Sequence, residues 1–287
     1  MKISEHCFPC LLKQVIKTED MLGAENREEI LREALRILSV ADYSKSSPAV
    51  SGEIYSMLAK KTGVYDPYKN LKDYYNRYFE EKLPLFEEKI TSFKDAVKFA
   101  ILGNIVDFSA VRVDIESEVA KLFTTAESLE FAVDDSEKLL SDIKKANTVL
   151  YLGDNCGEIC LDKLLIKQIK NINPDCKVYF AVRGMPAAND NTKEDALSVK
   201  MDELAEIIEN GDCSLGTVLD RTSEDFRKLY HRADLIISKG QGNYESLSDE
   251  KENLYFLLMI KCPTIAEFVG VPERSVVCMK NSTKKIF

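Results

Sequence analysis

The sequence lacks the features that direct a chain into a membrane or out of the cell. No apolar run among its 287 residues approaches the ~18 residues that a membrane-spanning helix needs. The segment from Met1 to Cys10 does not show the basic-then-apolar order of a signal peptide. We therefore expect no membrane span and a cytoplasmic protein.

An excess of positive charge is also absent, since the formal net charge is −9 and the isoelectric point is about 5.1. Such a chain has no general positive field for nucleic acid or an anionic membrane, and we expect neither as a partner. A local basic pocket for phosphate is compatible with this balance, because net charge does not describe a single cleft. The chain also has no internal repeat, low-complexity tract or long linker. Nothing in it specifies an oligomeric state.

The eight cysteines are scattered through the chain rather than concentrated in a small secreted scaffold, so free thiols are the default expectation. Cys7 and Cys10 lie three positions apart on a predicted helix, with His6 beside them, which is part of a zinc signature. No second paired motif supplies the other ligands. Packing thiols, a zinc site and a disulfide therefore stay open for this pair, and we expect Cys262 near it.

The pattern of apolar residues changes near residue 145 and predicts two domains. Within residues 1–145, the segments 28–41 and 93–106 carry apolar residues at helical spacing. Residues 146–287 alternate strands and helices, with strands predicted near 148–152, 178–182, 234–238, 255–260 and 275–279. This alternation predicts parallel β-α-β units. The expected fold class is α/β, a three-layer α/β/α Rossmann-like sheet domain after an all-helical domain that contributes to the active-site cleft.

An acidic and amide-bearing loop follows the first predicted strand. The loop Gly153-Asp154-Asn155-Cys156-Gly157-Glu158 comes directly after the run 148–152, and a helix is predicted over 158–169. Ligands of open α/β sheets bind at the carboxyl ends of strands, so this loop lies where a site is expected. Asp154 and Asn155 offer adjacent oxygens for a hard cation such as Mg²⁺ or Mn²⁺. An ordinary turn built from the same residue types is the alternative.

Two further strand ends carry similar side chains. The second strand leads into Arg183-Gly184-Met185-Pro186 and Asn189-Asp190-Asn191-Thr192, and Thr192 with Asp195 forms a capping-box pattern that begins a helix. Asp190 is thus expected at the same sheet edge as Asp154. The third strand leads into Ser238-Lys239-Gly240-Gln241-Gly242-Asn243. The glycines there allow close backbone approach and Lys239 adds a positive charge, a set of groups suited to a metal with a phosphate.

These motifs resemble those of the damage-control phosphatases, a family of metal-dependent phosphatases. The family is acidic-residue-methyltransferase-like and was first catalogued as a domain of unknown function; this chain is similar to its prokaryotic subfamily. The shared patterns include Gly153-Asp154-Asn155-x-Gly157-Glu158, Arg183-Gly184-x-Pro186-x-x-Asn189-Asp190-x-Thr192, Lys239-Gly240-Gln241-Gly242-Asn243-Tyr244-Glu245, Cys7-x-Pro9-Cys10 with Gln14, and Gly103-Asn104-x-x-Asp107-Phe108. The resemblance runs nearly end to end, and several ordered motifs are more specific than any one of them.

The resemblance implies a phosphatase that acts on small phosphorylated metabolites, such as sugar phosphates or related damaged intermediates. It implies one divalent ion, Mg, Mn, Co or Ni, held by Asp154, Asn155 and Asp190. It also implies that Lys239 contacts the transferred phosphoryl group. The remaining candidates for substrate or phosphate binding are Asn104, Asp107, Arg183, Gly240, Gly242 and Asn243. Cys156 and Cys160 depart from the family pattern, where smaller or aliphatic residues are expected.

The residues leave the mechanism and two other functions open. Attack by a metal-polarised water and attack by Asp154 as a covalent nucleophile need the same side chains. A noncatalytic sensor of a metal and a phosphometabolite also needs an overlapping set. A cysteine hydrolase is the third function, with Cys156 as nucleophile activated by the following helix. It is disfavoured because neither His6 nor His231 lies in an obvious site motif.

Overall fold

In a computed structural model that describes residues 1–103, 126 and 128–281, the chain forms a mixed sheet of seven strands. The strands are β1 Val133–Asp134, β2 Thr148–Leu152, β3 Lys177–Val182, β4 Glu206–Glu209, β5 Leu235–Lys239, β6 Leu254–Met259 and β7 Val276–Lys280. Their order across the sheet is β1-β7-β6-β5-β2-β3-β4. All five predicted strands are confirmed to within one residue. The sequence pattern missed β1 and β4, because both are short and flanked by charged residues.

The described helices occur on both sides of the predicted boundary at residue 145. They are α1 Cys7–Leu22, α2 Arg27–Ser39, α3 Ser47–Thr62, α4 Lys69–Glu87, α5 Phe93–Leu102, α6 Ser136–Ile143, α7 Glu158–Ile172, α8 Lys193–Ser198, α9 Glu224–Arg232, α10 Gly240–Leu247 and α11 Pro263–Val269. The predicted capping box is confirmed, since Asp195 Oδ2 accepts from Thr192 N at 2.9 Å and Thr192 Oγ1 at 2.6 Å. Within these ranges, no helix has both the length and the apolar character needed to cross a membrane.

The last strand departs from the predicted parallel arrangement. β7 pairs antiparallel with β6, whereas the pairs β2–β3, β2–β5, β3–β4, β5–β6 and β1–β7 are parallel. The helix between them, α11, has seven residues and at 1.5 Å per residue spans only ~10 Å, about half the length of β6. It is too short to carry the chain back to the start of β6. The chain therefore enters β7 from the carboxyl end of its neighbour.

Strand side chains alternate between two apolar layers. Val149 and Tyr151 of β2 join a core with α4, α5, α6 and α7 on one face of the sheet. Leu150 and Leu152 of β2 join a second core with α9, α10 and α11 on the other face. This confirms the three-layer α/β/α arrangement. Because the first of these cores contains residues from before and after 145, packing does not follow the predicted domain boundary.

The first three helices form a third apolar cluster, which is separate from the two sheet faces. α1, α2 and α3 pack on one another through residues such as Val15, Ile30 and Ile54. Ala187 from the loop after β3 and Cys213 from the loop after β4 complete this cluster. The small helical bundle therefore lies over the edge of the sheet at which the parallel strands end.

Candidate active site

The order of the strands creates a crevice beside β2. The chain moves outward from β2 to β3 and β4, then returns to the opposite side of β2 to form β5. The connections that follow β2 and β5 therefore diverge at their carboxyl ends. This is the topological switch point at which open α/β sheets bind ligands.

The structure brings Asp154, Asn155 and Asp190 together at this crevice. Asn155 and Asp190 form an isolated antiparallel β-bridge between the loops after β2 and β3. The Asn191 N–H donates to Asp154 O at 2.8 Å, and the Asn191 Nδ2 group donates to Asn155 O at 3.0 Å. Backbone hydrogen bonds thus hold the two loops in register, and the three predicted ligands become neighbours.

Two buried carboxylates dominate the electrostatics of the site. Asp154 is 9% exposed and Asp190 is 4% exposed. Burial, reinforced by the charges of Asp190 and Glu158, raises the pKa of Asp154 to about 8. Burial also raises the pKa of Asp190, against the opposing effect of Arg183. Both effects have the same physical origin, because like charges removed from water disfavour simultaneous ionisation.

Arg183 supports the acidic pair from inside the protein. Its Nε donates to Asp190 Oδ2 at 2.7 Å, while its Nη2 lies 3.8 Å from Asp154 Oδ1. Arg183 itself is buried and is not among the residues that line the adjacent cavity. Arg183 therefore orients Asp190 through this hydrogen bond, and its predicted contact with phosphate stays a prediction.

Gly240 makes room for the carboxylate of Asp154. A Cβ atom on Gly240 would lie 1.9 Å from Asp154 Oδ2, far inside van der Waals contact. The backbone of Gly240 also has a φ of +76°, which L-residues with side chains rarely adopt. Glycine is thus required here on two counts, and the predicted close approach of the backbone is to a protein carboxylate.

A cavity of about 680 Å³ opens between the sheet edge and the helical bundle. Asp154, Asn155 and Asp190 form its floor, and Lys13, Lys17 and Lys261 are among its lining residues. Gly242 also lines the cavity, as expected for a ligand-contacting glycine. The site therefore combines buried acids with several positive side chains, which suits an anionic ligand bound beside a cation.

Lys239 occupies a different place from the predicted one. It is fully buried, and its Nζ donates to Glu158 Oε1, to Asp162 Oδ1 at 2.6 Å and to Ala100 O at 2.6 Å. These three acceptors match the three donors of an ammonium group. Burial lowers the pKa of Lys239, but the charges of Asp162 and Glu158 more than offset that effect and raise it overall. Lys239 thus forms an internal ion cluster and is not among the residues that line the cavity. Its predicted contact with phosphate stays a prediction.

The other predicted substrate residues divide into two groups. Asn243 is buried, and its Nδ2 donates to Lys239 O at 2.7 Å and to Gly153 O at 3.3 Å, so it links the end of β5 to the loop that carries Asp154. It is not among the residues that line the cavity. Asn104 and Asp107 lie outside the described residues.

The cysteines occupy two kinds of position. Cys7, Cys10 and Cys262 line the cavity together, as predicted, and all eight thiols are free. Cys156 is buried, and burial raises its pKa well above the ordinary value. This reverses the predicted lowering by the following helix and argues against a Cys156 thiolate as nucleophile.

Three residues of the helical half that the sequence did not single out also serve the site. Asn76 Oδ1 accepts from Gly157 N at 2.6 Å, which anchors α4 to the loop that carries Asp154. Lys72, one turn earlier, is buried and pairs with Asp195 at 2.6 Å behind the loop of Asp190. Tyr55 on α3 lines the cavity. In the sequence these side chains have the spacing of ordinary helix residues, and no local signal marks them.

The donor set at the sheet edge fits a divalent cation. Two carboxylates and an amide oxygen are hard ligands, and a cation between them would let both acids ionise despite their burial. Among the described residues, no group of three or more His, Cys, Asp or Glu side chains is arranged to hold a metal. The set at the sheet edge has two carboxylates, Asp154 and Asp190, and the amide oxygen of Asn155 is the third candidate ligand.

The fold and the site together define the class of the protein as a three-layer α/β protein with an acidic centre at the sheet edge. A model of the damage-control phosphatase ARMT1-like domain matches residues 3–277. This chain belongs to that family of phosphatases.

Individual relatives agree over almost the whole chain. It is 33% identical over 293 residues to a damage-control phosphatase of Pyrococcus horikoshii, with 99% of this chain and 100% of the relative covered. It is 34% identical over 287 residues to a damage-control phosphatase of Archaeoglobus fulgidus, with coverage of 94% and 96%. The crystal structure of a DUF89 family protein from Pyrococcus horikoshii superposes with a TM-score of 0.89 at 31% identity, covering 98% of this chain and 99% of that one. The resemblance inferred from the motifs is thus confirmed.

Proposed function

We propose that this phosphatase is metal-dependent and hydrolyses phosphate monoesters of small metabolites, such as sugar phosphates or damaged phosphorylated intermediates. The observation that carries the proposal is a pair of buried carboxylates, Asp154 and Asp190, held by neighbouring strand ends on the floor of one cavity. The names of the Pyrococcus and Archaeoglobus relatives support the substrate class.

In this proposal Asp154, Asn155 and Asp190 hold one divalent ion, whether Mg, Mn, Co or Ni. When bound, such an ion supplies positive charge at the phosphoryl oxygens and lowers the pKa of water. Arg183 fixes the orientation of Asp190 through the 2.7 Å hydrogen bond. Gly240 keeps the space that the Asp154 carboxylate occupies. These residues pre-organise the acidic centre before substrate arrives.

The positive side chains of the cavity account for recognition of an anionic substrate. Lys13 and Lys261 line the cavity and are exposed to it, so their ammonium groups are available as point charges. The charge of Lys261 also acts on Asp154 and partly opposes the rise in its pKa. A phosphorylated metabolite would thus find its counter-charges on the cavity wall while its phosphoryl group lies at the acidic floor.

The test is phosphate release from a panel of sugar phosphates and a generic phosphomonoester, with each of the four metals and with chelator. Asp154→Asn is the site variant. Asp225→Asn, whose side chain is 98% exposed, is the matched control for removal of one carboxylate. We expect chelator-sensitive turnover in the wild type and the control, and loss of both metal binding and turnover in Asp154→Asn.

Other outcomes distinguish the alternatives. Metal and phosphate binding without release would support a sensor rather than an enzyme. Activity that survives chelator but is lost on thiol alkylation would support a cysteine hydrolase. Full activity in a folded Asp154→Asn protein would overturn the metal assignment.

A further inference from the structure

One residue that lines the proposed active site has a buried hydroxyl without a hydrogen-bond partner among the described residues. Tyr55 lies on α3, is 7% exposed and lines the same cavity as Asp154 and Asp190. Within the described part of the chain, its hydroxyl oxygen has no hydrogen-bond partner. A buried polar atom without a hydrogen-bond partner is energetically unfavourable. When the residue that carries such an atom lines a cavity, a bound ligand can supply the missing hydrogen-bond partner.

The neighbouring hydroxyls of this wall are already paired within the protein. Tyr68 and Thr18 share a hydrogen bond of 3.2 Å, and Thr18 Oγ1 donates onward to Gln14 O at 2.9 Å. Ser51 Oγ donates to Pro48 O at 2.7 Å and accepts from Leu215 N at 3.0 Å. Tyr55 differs from them in keeping both its donor and its acceptor capacity.

The chemistry of Tyr55 favours an anionic oxygen as its partner. A phenol is protonated at neutral pH, and burial, with the charges of Tyr68 and Asp190, raises the pKa of Tyr55 further. The group is therefore a permanent O–H donor.

We propose that the Tyr55 hydroxyl donates a hydrogen bond to a nonbridging phosphoryl oxygen of the substrate. Tyr55 then acts as a substrate-binding residue contributed by the helical bundle. The phosphoryl group would thus be bound both by the loops at the sheet edge and by a side chain of the helical bundle. This inference rests on the proposed phosphatase function, since it places the phosphoryl group at the acidic floor.

The test uses Tyr55→Phe, with inorganic phosphate as the probe. Its matched control is Tyr230→Phe, because Tyr230 is also buried and its hydroxyl is also unpaired, but it lies on α9, in the apolar layer on the other face of the sheet. Calorimetry measures phosphate affinity of the metal-loaded proteins. Thermal melting measures stability, and steady-state kinetics separates KM from kcat.

We expect Tyr55→Phe to weaken phosphate binding and raise KM by about 10- to 100-fold, the range for a hydrogen bond to a charged acceptor. Its melting temperature should equal or exceed that of the wild type, because no protein hydrogen bond is lost. Tyr230→Phe should match the wild type in phosphate affinity and KM.

Three results would overturn the inference. Unchanged phosphate affinity in Tyr55→Phe would show that the hydroxyl does not contact phosphate. A loss of stability much larger than in Tyr230→Phe would show that the hydroxyl is paired in the free protein. A wild type that neither binds phosphate nor releases it would remove the proposed function as well, whereas an active wild type with an unaffected Tyr55→Phe removes this inference alone.

Discussion

At the scale of single residues, Lys239 illustrates how burial changes the role of a charged group. Its ammonium is enclosed by Glu158, Asp162 and a carbonyl oxygen, with no exposed surface. Tyr151 adds a hydrogen bond of 2.6 Å from its hydroxyl to Asp162 Oδ1. Removing one partner of such a buried cluster leaves uncompensated charge in a medium of low polarity. The structure therefore predicts a stabilising role for Lys239.

Lys239→Ala should lower the free energy of unfolding by about 3–5 kcal/mol, as expected for a broken buried ion pair. Lys228→Ala is the control, since the Lys228–Glu224 pair is exposed on α9 and should contribute about 1 kcal/mol or less. Denaturant unfolding measures both values. A Lys239→Ala protein of native stability that has lost kcat/KM would instead support direct contact with phosphate.

Asp154 leads to a prediction about pH. Its folded pKa of about 8 lies above its unfolded value, so the folded state holds the proton more tightly. The corresponding stability is complete below pH ~4 and is lost as the pH rises toward 8. The metal-free protein should therefore melt at a lower temperature at pH 8 than at pH 5, with a difference of about 2 kcal/mol or more assignable to this group.

Comparison with Asp154→Asn is needed to identify this contribution, because burial also raises the pKa of Asp190, and the pKa values of Glu245 and Asp162 are raised to about 7 and about 6. The Asn variant should show a shallower decline between pH 5 and 8. Adding a divalent metal should restore the wild type at pH 8 and have no such effect on the variant. If the melting temperatures of the two metal-free proteins fell equally between pH 5 and pH 8, the assigned pKa of Asp154 would be wrong.

At the scale of elements, the junction between β5 and α10 contacts the loop after β2 that carries Asp154. Gly240 begins α10 with its Cα against the carboxylate of Asp154, so two strand ends are packed into direct contact. A methyl group in this position would collide with Asp154 rather than with a flexible surface side chain. The position of the Asp154 carboxylate thus depends on the absence of a side chain at Gly240.

Gly240→Ala should weaken metal binding by at least about tenfold, the scale on which supporting residues act on metal sites. Gly270→Ala is its matched control. Gly270 has a φ of +81°, close to that of Gly240, but a Cβ there meets nothing within 4 Å. Both variants should lose about 1–2 kcal/mol of stability through backbone strain, and only Gly240→Ala should lose metal affinity in a titration. Equal metal affinities would show that the Asp154 contact is unimportant.

At the scale of the whole molecule, the helical and sheet segments share one core. Phe79, Phe86 and Ile101 from the first half lie in the same apolar cluster as Tyr151 and Leu164 from the second. The helical bundle of α1 to α3 is likewise closed by residues from the loops after β3 and β4. Neither half therefore buries its apolar surface without the other.

We expect a single cooperative unfolding transition for the intact chain, with equal calorimetric and van't Hoff enthalpies. Circular dichroism in the far and near ultraviolet should report the same midpoint. Two separated transitions would contradict this expectation and would favour independent domains divided near residue 145.

The sequence alone was sufficient for features that depend on local pattern. Runs of apolar residues placed five strands, and the switch from helical to alternating organisation predicted the α/β class. Asp154, Asn155 and Asp190 were predictable as neighbours, because parallel strands end at a common edge of the sheet. Their proposed metal-binding role remains to be tested.

The tertiary structure decided what depends on contacts between distant residues. Lys239 at a strand end has the pattern of a phosphate ligand, yet Glu158 and Asp162 enclose it. Tyr55 and Asn76 have ordinary helical spacing, and only packing brings them to the site. Periodicity reports which face of an element is buried, but not which polar group will lie opposite it. The pairing of buried charges and hydroxyls is therefore set by the assembled fold. In its interior the low dielectric strengthens each hydrogen bond and raises the free-energy cost of each unpaired polar group.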